Sequence, residues 1–348
     1  MKFTKLELAA LEGCYSVAEA SINHKTHVLF ASESDDKCLA IDVDKLSSPK
    51  TVWEHPGGTM SMVPIPGKDG EFLAIQKFYR LWDWEESQLV WVKHQADGSF
   101  AVSPLFTRPY IHRFDLLSRD GRLYLLVCCV AAHKSSLEDW SQPGIVYAAL
   151  LPEGPEEEIR LEMLGDTFLK NHGYARVQWN GTECGFVTCE SGGFIFTPPG
   201  KGQPEWGIEK ILEGTFSDGD MVDIDGDGEL EIATIEAFHG DKFRIYKKIG
   251  GSYQLVFQHP EVVNFYHVVQ QGTLAGRKGF LGGGRGGKEQ LFFVSWQPDT
   301  QEFKIHPIDA GQGPSNAIIL NRPEGDCIFS ANRNAGTAVV YKCKGFDE

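Results

Sequence analysis

The chain has no apolar run approaching the length needed to cross a membrane, and residues Met1 to Cys14 contain no continuous apolar core of the kind a secretory signal requires. A cytoplasmic protein with no membrane partner is therefore expected. Positive charge is also scarce. Against 48 Asp and Glu there are 33 Lys and Arg, and the net charge of −15 speaks against the basic faces that recruit nucleic acid. The eight cysteines form no C-x-x-C pair, and Cys128 and Cys129 are neighbours on a strand-like run, so they point to opposite faces. Reduced thiols buried as small apolar residues are expected. No G-x-S-x-G element is present, which argues against serine hydrolase chemistry. The run Gly282-Gly-Gly-Arg285-Gly-Gly287 lacks the lysine and following helix of a phosphate cradle, and leaves only Arg285 as a candidate.

What the chain does have is the stretch Asp223-Ile-Asp225-Gly-Asp227-Gly-Glu-Leu-Glu231. Oxygen side chains at the first, third, fifth and ninth positions, with Gly228 allowing the bend, suit one hard cation such as Ca²⁺. The flanks, Asp220 to Ile224 and Leu230 to Glu236, alternate like strands, so the loop is expected to be a hairpin turn rather than part of an EF-hand. It resembles the D-x-D-x-D-G-x-x-[DE] signature of FG-GAP and VCBS-type repeats, which implies one blade of a β-propeller. A structural calcium ion on Asp223, Asp225, Asp227 and Glu231 is the expectation.

Short echoes supply a repeat. Leu11-Glu-Gly-Cys-Tyr-Ser16 returns as Leu212-Glu-Gly-Thr-Phe-Ser217, and Trp53-Glu-His-Pro56, Phe106-Thr-Arg-Pro109 and Phe257-Gln-His-Pro260 share one pattern. All fit a period of roughly 50 residues. Blade starts then fall near Tyr15, Gly58, Ile111, Asn171, Ser217, Asn264 and Pro314, in one domain spanning 1–348. The last unit has three strand-like runs, Asn316 to Leu320, Cys327 to Ala331 and Thr337 to Tyr341. The alternating run Phe3 to Leu11 supplies the missing fourth. The predicted fold is all-β: a seven-bladed β-propeller closed by pairing of the N-terminal strand with the C-terminal blade. The third unit is long enough to hide an insertion around Ser135 to Gln142, which leaves six and eight blades as alternatives. Glu153 to Glu158 is the densest acidic run and is expected to be a solvated loop.

Starts of inner strands and ends of second strands share one face of a propeller. His112, His172 and His267 fall at inner-strand starts, and Lys77, His133, Glu190, Glu236, His239, Arg285 and Arg333 at second-strand ends. Imidazoles from separate strands, His112, His172 and His267 with His239, Glu190 or Glu236, suit a divalent transition metal such as Zn²⁺, Mn²⁺ or Fe²⁺. His133 and Lys77 are candidate bases, and Arg285 and Arg333 candidates to hold developing negative charge. Trp82, Trp84 and Trp140 lie in long connections, as sugar-stacking rings or as packing beneath loops. These residue types suit proton abstraction beside a carbonyl. The chain resembles, through VCBS-type blades and histidine-rich strand starts, the propeller part of aldos-2-ulose dehydratase and the propeller sugar lyases. That resemblance implies β-elimination on a small keto-sugar or glycoside. The alternative is a non-catalytic propeller platform for a glycan or protein partner.

Overall fold

The computed structural model describes residues 1–78 and 86–345, so Trp82 and Trp84 lie outside the described residues. The fold is all-β and that of a seven-bladed β-propeller, with seven four-stranded antiparallel sheets and, among the described residues, no helix long and apolar enough to cross a membrane. The chain partitions into two compact units, Ser16–Gly214 and Met1–Tyr15 with Thr215–Glu348. The first carries four sheets and the second three.

In the four-sheet unit the strands run in chain order. They are β2 (Cys14–Ile22) to β5 (Lys50–Trp53) through β3 (Lys25–Ser32) and β4 (Cys38–Asp42); then β6 (Met62–Pro64), β7 (Glu71–Gln76), β8 (Gln88–His94) and β9 (Phe100–Thr107). The third sheet is β10 (Ile111–Arg119), β11 (Arg122–Cys129), β12 (Gly144–Leu150) and β13 (Glu162–Phe168), and the fourth is β14 (Gly173–Trp179), β15 (Thr182–Cys189), β16 (Gly192–Thr197) and β17 (Gly207–Leu212). The three-sheet unit holds β18 (Asp218–Val222), β19 (Glu231–Glu236), β20 (Lys242–Ile249) and β21 (Ser252–Gln258), then β22 (Tyr266–Leu274), β23 (Arg277–Gly284), β24 (Leu291–Gln297) and β25 (Glu302–Asp309). Its last sheet is β26 (Pro314–Leu320), β27 (Cys327–Asn332) and β28 (Thr337–Cys343), completed by β1 (Phe3–Ala10) in antiparallel register from Phe3↔Cys343 to Ala10↔Thr337. The N-terminal closure expected from the alternating run is thus present.

Burial follows strand position. Second strands such as β11, with Leu125 to Cys129 at most 1 % exposed, are apolar on both faces because neighbouring sheets pack on both sides. Fourth strands such as β13 and β21 are mostly exposed and mix polar with apolar side chains, Met163, Leu255 and Val256 among the exposed ones. Pro104 in β9 and Pro307 in β25 sit on such edge strands, where a missing N–H costs no ladder bond. Several inner hairpins use two residues at positive φ: Asp120-Gly121, Asn180-Gly181 and Ala275-Gly276. This is the turn whose twist suits a two-residue hairpin. Between β18 and β19 the acidic loop 223–230 replaces that turn.

Inner strands are tied to their successors by buried carboxylates. In the four-sheet unit Asp115 on β10 accepts the N–H of Leu116 at 2.8 Å and bonds the Arg176 guanidinium on β14, Nε at 3.0 Å. In the three-sheet unit Asp220 on β18 accepts the N–H of Met221 at 2.7 Å and, from β22, the N–H of Gln271 at 2.7 Å and the Gln270 amide at 3.2 Å. The same device is therefore used twice, once with a cation and once without. Burial pushes the Asp220 carboxyl up to about 7, against the opposing pull of the N–H groups it accepts.

Candidate functional site

His112 and His267 are each the second residue of an inner strand, and each sits at a register shift, between Ile111 and Arg113 and between Tyr266 and Val268. A bulge there adds local twist and re-aims the side chain away from the regular pleat. Both rings are buried, and each directs Nδ1 at the backbone carbonyl that opens the next sheet: His112 to His172 O at 3.1 Å, and His267 to Ser315 O at 2.6 Å. An Nδ1–H donated to a carbonyl places the neutral ring's lone pair on Nε2, the arrangement common to histidines that act as bases or bind metals.

In the four-sheet unit, His112 lies against His172 with ring centroids 4.2 Å apart, and the Phe78 ring meets His112 edge-on at 5.3 Å. Glu190 forms an ion pair with Lys170 at 2.8 Å. Lys77 and His133 are exposed at the ends of β7 and β11. Next to His133, Lys134 is only 9 % exposed, and its ammonium stands 3.2 Å above the Trp140 ring, with the Lys170 ammonium 5.6 Å from the same ring. Burial lowers the Lys134 ammonium to about 8. The lysine covers one face of the half-buried Trp140.

The three-sheet unit gathers more chemistry. His239 follows β19 at a positive φ of 48°, and its ring is stacked between Phe238 at 4.0 Å and Phe265 at 4.2 Å. His267 lies parallel to it at 5.7 Å. The Arg285 guanidinium covers Phe265 at 4.6 Å, and the backbone N–H of Arg285 bonds Phe265 O at 2.8 Å. Tyr15 completes the group, its hydroxyl 3.2 Å from His267 Nε2. With Nδ1–H engaged by Ser315, the hydroxyl donates and Nε2 accepts. A linear relay results: tyrosine O–H, imidazole, backbone carbonyl.

Some of the expected site residues are placed elsewhere. Glu236 accepts Arg244 at 2.6 Å, Tyr246 at 2.5 Å and Thr234 at 3.0 Å, so its carboxylate is directed along β19 and β20. Arg333 is half-buried just after β27. Tyr15 was legible only as a blade start, and Phe265 carried no chemical signal.

The acidic loop is a separate feature of the three-sheet unit. Carboxylate oxygens of Asp223, Asp225 and Asp227 lie within 4.8 Å of one another. Among them lies the Lys247 ammonium, in contact with Asp225, 2.7 Å from Asp227 and 3.2 Å from Glu231. Lys278 approaches Asp223 at 3.5 Å. Burial works against the charge on Lys247, but its hydrogen bonds to Asp225 and Asp227 and the negative charge of Glu231 outweigh it and hold the ammonium above its ordinary range.

No protein-family model and no curated protein matches the chain. Solved structures match at the level of the fold. The β-propeller domain of Myceliophteria thermophila Cps50 (Swd1) has a TM-score of 0.62 at 10% identity, covering 98% of this chain and 100% of that one. Virginiamycin B lyase from Staphylococcus aureus gives 0.58 at 11%, with 98% and 99% covered. A Bacteroides uniformis protein described as a 6-phosphogluconolactonase gives 0.57 at 12%, with 97% and 92% covered. These neighbours differ in kind and share little sequence, so the likeness carries the fold alone.

Proposed function

We propose that the chain is a carbon–oxygen lyase or dehydratase acting by β-elimination on an oxidised sugar or glycoside, with proton transfer carried by His267 and Tyr15. The observation that carries this reading is the relay itself: Tyr15 hydroxyl to His267 Nε2 at 3.2 Å, and His267 Nδ1 to Ser315 O at 2.6 Å. A base oriented by a third group and hydrogen-bonded to an acid is the arrangement that proton abstraction and leaving-group protonation require. His267 takes the proton beside the carbonyl on Nε2, and Tyr15 returns one to the departing oxygen. Arg285, held against Phe265, and His239 are suited to balance the negative charge that develops on the enolate. Arg333, half-buried just after β27 in the same unit, is proposed to contact the substrate's outer parts.

A divalent transition ion is part of the proposal. Its candidate ligands are His112 and His172, which lie together in the four-sheet unit, with His112 pre-oriented through Nδ1. When bound, it would supply Lewis-acid stabilisation of an enolate oxygen. Glu190 and Glu236, engaged by Lys170 and by Arg244 and Tyr246, are ligands only at the cost of those bonds. One name among the fold neighbours is that of a lyase, which is compatible with this reading.

The test is a screen of keto-sugars and uronides for a conjugated product by absorbance, with metal analysis of the wild type, His172→Ala and His267→Ala. Tyr15→Phe should lower kcat by roughly 10²-fold or more with KM little changed, and His267→Ala should abolish turnover. Metal-free wild type that eliminates from no substrate leaves the platform for a glycan or protein partner as the better reading.

A further inference from the structure

The loop between β18 and β19 carries four carboxylates within reach of one centre, and its charge is balanced from within the chain. Glu231 is fully buried, and its Oε2 accepts the N–H of Ile224 at 2.9 Å. Its other oxygen, Oε1, is sealed from water without a well-aligned hydrogen bond and faces the Lys247 ammonium at 3.2 Å. A buried carboxylate oxygen left that way calls for a cation. Lys247 comes from β20, brought there because Tyr246 pairs with Ile232, the residue after Glu231. Its ammonium touches Asp225, Asp227 and Glu231 together. The loop N–H groups are turned inward as well, Gly226 to Asp223 at 2.8 Å and Glu229 to Asp227 at 2.9 Å, so the backbone is already wrapped.

We propose that the Lys247 ammonium is the resident cation of this loop, standing where the motif's calcium ion is expected, and that it masks a divalent-cation site. An ammonium offers one charge and three donors at hydrogen-bond distance. A calcium ion offers two charges but needs six to eight oxygens at 2.3–2.6 Å. With the lysine in place, a calcium ion would have to displace a charge already held by three carboxylates. Without it, the same carboxylates are uncompensated and free to wrap a metal.

Calcium chloride alone is the probe, with unfolding temperature and titration calorimetry as readouts on the full chain. In the wild type the unfolding temperature in chelator and in 5 mM calcium (about a thousandfold above a sensor-type Kd) should agree, with no binding heat. Lys247→Met should unfold at a lower temperature in chelator, recover with calcium, and bind one ion. Lys247→Met with Asp227→Asn restores the charge balance and keeps the question open should the single variant fail to fold. It should fold in chelator and, unlike the wild type, gain unfolding temperature with calcium; a folded double variant indifferent to calcium counts against the proposal. A wild type stabilised by calcium, or a folded Lys247→Met that binds none, overturns the proposal.

Discussion

Asp220→Asn should change the pH dependence of stability rather than stability at one pH. In the wild type the carboxyl is enclosed, 2 % exposed, and burial lifts it from an ordinary 3.8 to about 7. Because the folded value is the higher one, the unfolded chain gives up its proton first as pH rises. Stability is then lost between about pH 4 and pH 7 at a slope approaching ~1.4 kcal/mol per pH unit, and is level above and below that window. Between pH 5 and 7 the loss is about 2 kcal/mol by the same relation. Asparagine cannot ionise, so urea unfolding of both proteins at pH 5, 6, 7 and 8 should show the variant gaining about 2 kcal/mol on the wild type from pH 5 to 7. The absolute offset is set by the hydrogen bond that asparagine's amide cannot accept from Met221 or Gln271. Only the pH-dependent part is diagnostic, and neighbouring Asp218 is common to both proteins. A difference that stays constant across this range would refute the reasoning, for it would mean that three N–H donors hold the carboxylate ionised despite its burial.

Arg176→Ala leaves Asp115 buried beside β14 with its cation gone, and should cost about 3 kcal/mol in urea unfolding at pH 7, the low end for a broken buried pair because the guanidinium is 39% exposed. Arg176→Lys should recover only part of this, since lysine cannot reproduce the two-pronged contact. Removing residues 1–11 strips β28 of its partner and should lower the unfolding temperature by roughly ten degrees, or a few kcal/mol at the slope expected for a large domain; an unchanged thermal scan would show that β1 is dispensable. A thiol reagent added to native protein should label Cys343 alone, because the other seven cysteines are buried and burial pushes thiols such as Cys129 up to about 12 and Cys189 up to about 11. Prompt labelling of several thiols would contradict that packing.

Much of the architecture was legible because its signals are local. The starts read at Ile111, Ser217 and Pro314 fall within a residue of β10, β18 and β26, since alternation and turn residues mark where each inner strand begins. The long third unit resolves into a connection between β11 and β12 that includes Ser135 to Gln142, and the count stays at seven. The chemistry was legible only in part. His112 and His267 could be placed at strand starts, but their Nδ1 bonds depend on bulges that alternation does not reveal. Lys247 was missed because strand pairing brings it to the acidic loop, and nothing in the spacing of Asp223, Asp225 and Asp227 refers to it. Glu236 had the right place at a strand end, yet Arg244 and Tyr246 from the neighbouring strand take its carboxylate.

The pairing of β1 with β28 also sets a clock on biosynthesis. Phe3 and Cys343 are partners 340 positions apart, so β1 is made long before the strand it pairs with. At about 5–20 residues per second, the ribosome leaves β1 waiting for roughly 17–70 s, with its backbone donors and acceptors turned to water. Lys5 and Glu7 in that segment put charge on a strand that would otherwise invite pairing with another nascent chain. Slower elongation anywhere between the codons of β1 and β28 would lengthen that exposure, and with it the nascent chain's dependence on holding chaperones, without altering one contact of the finished protein.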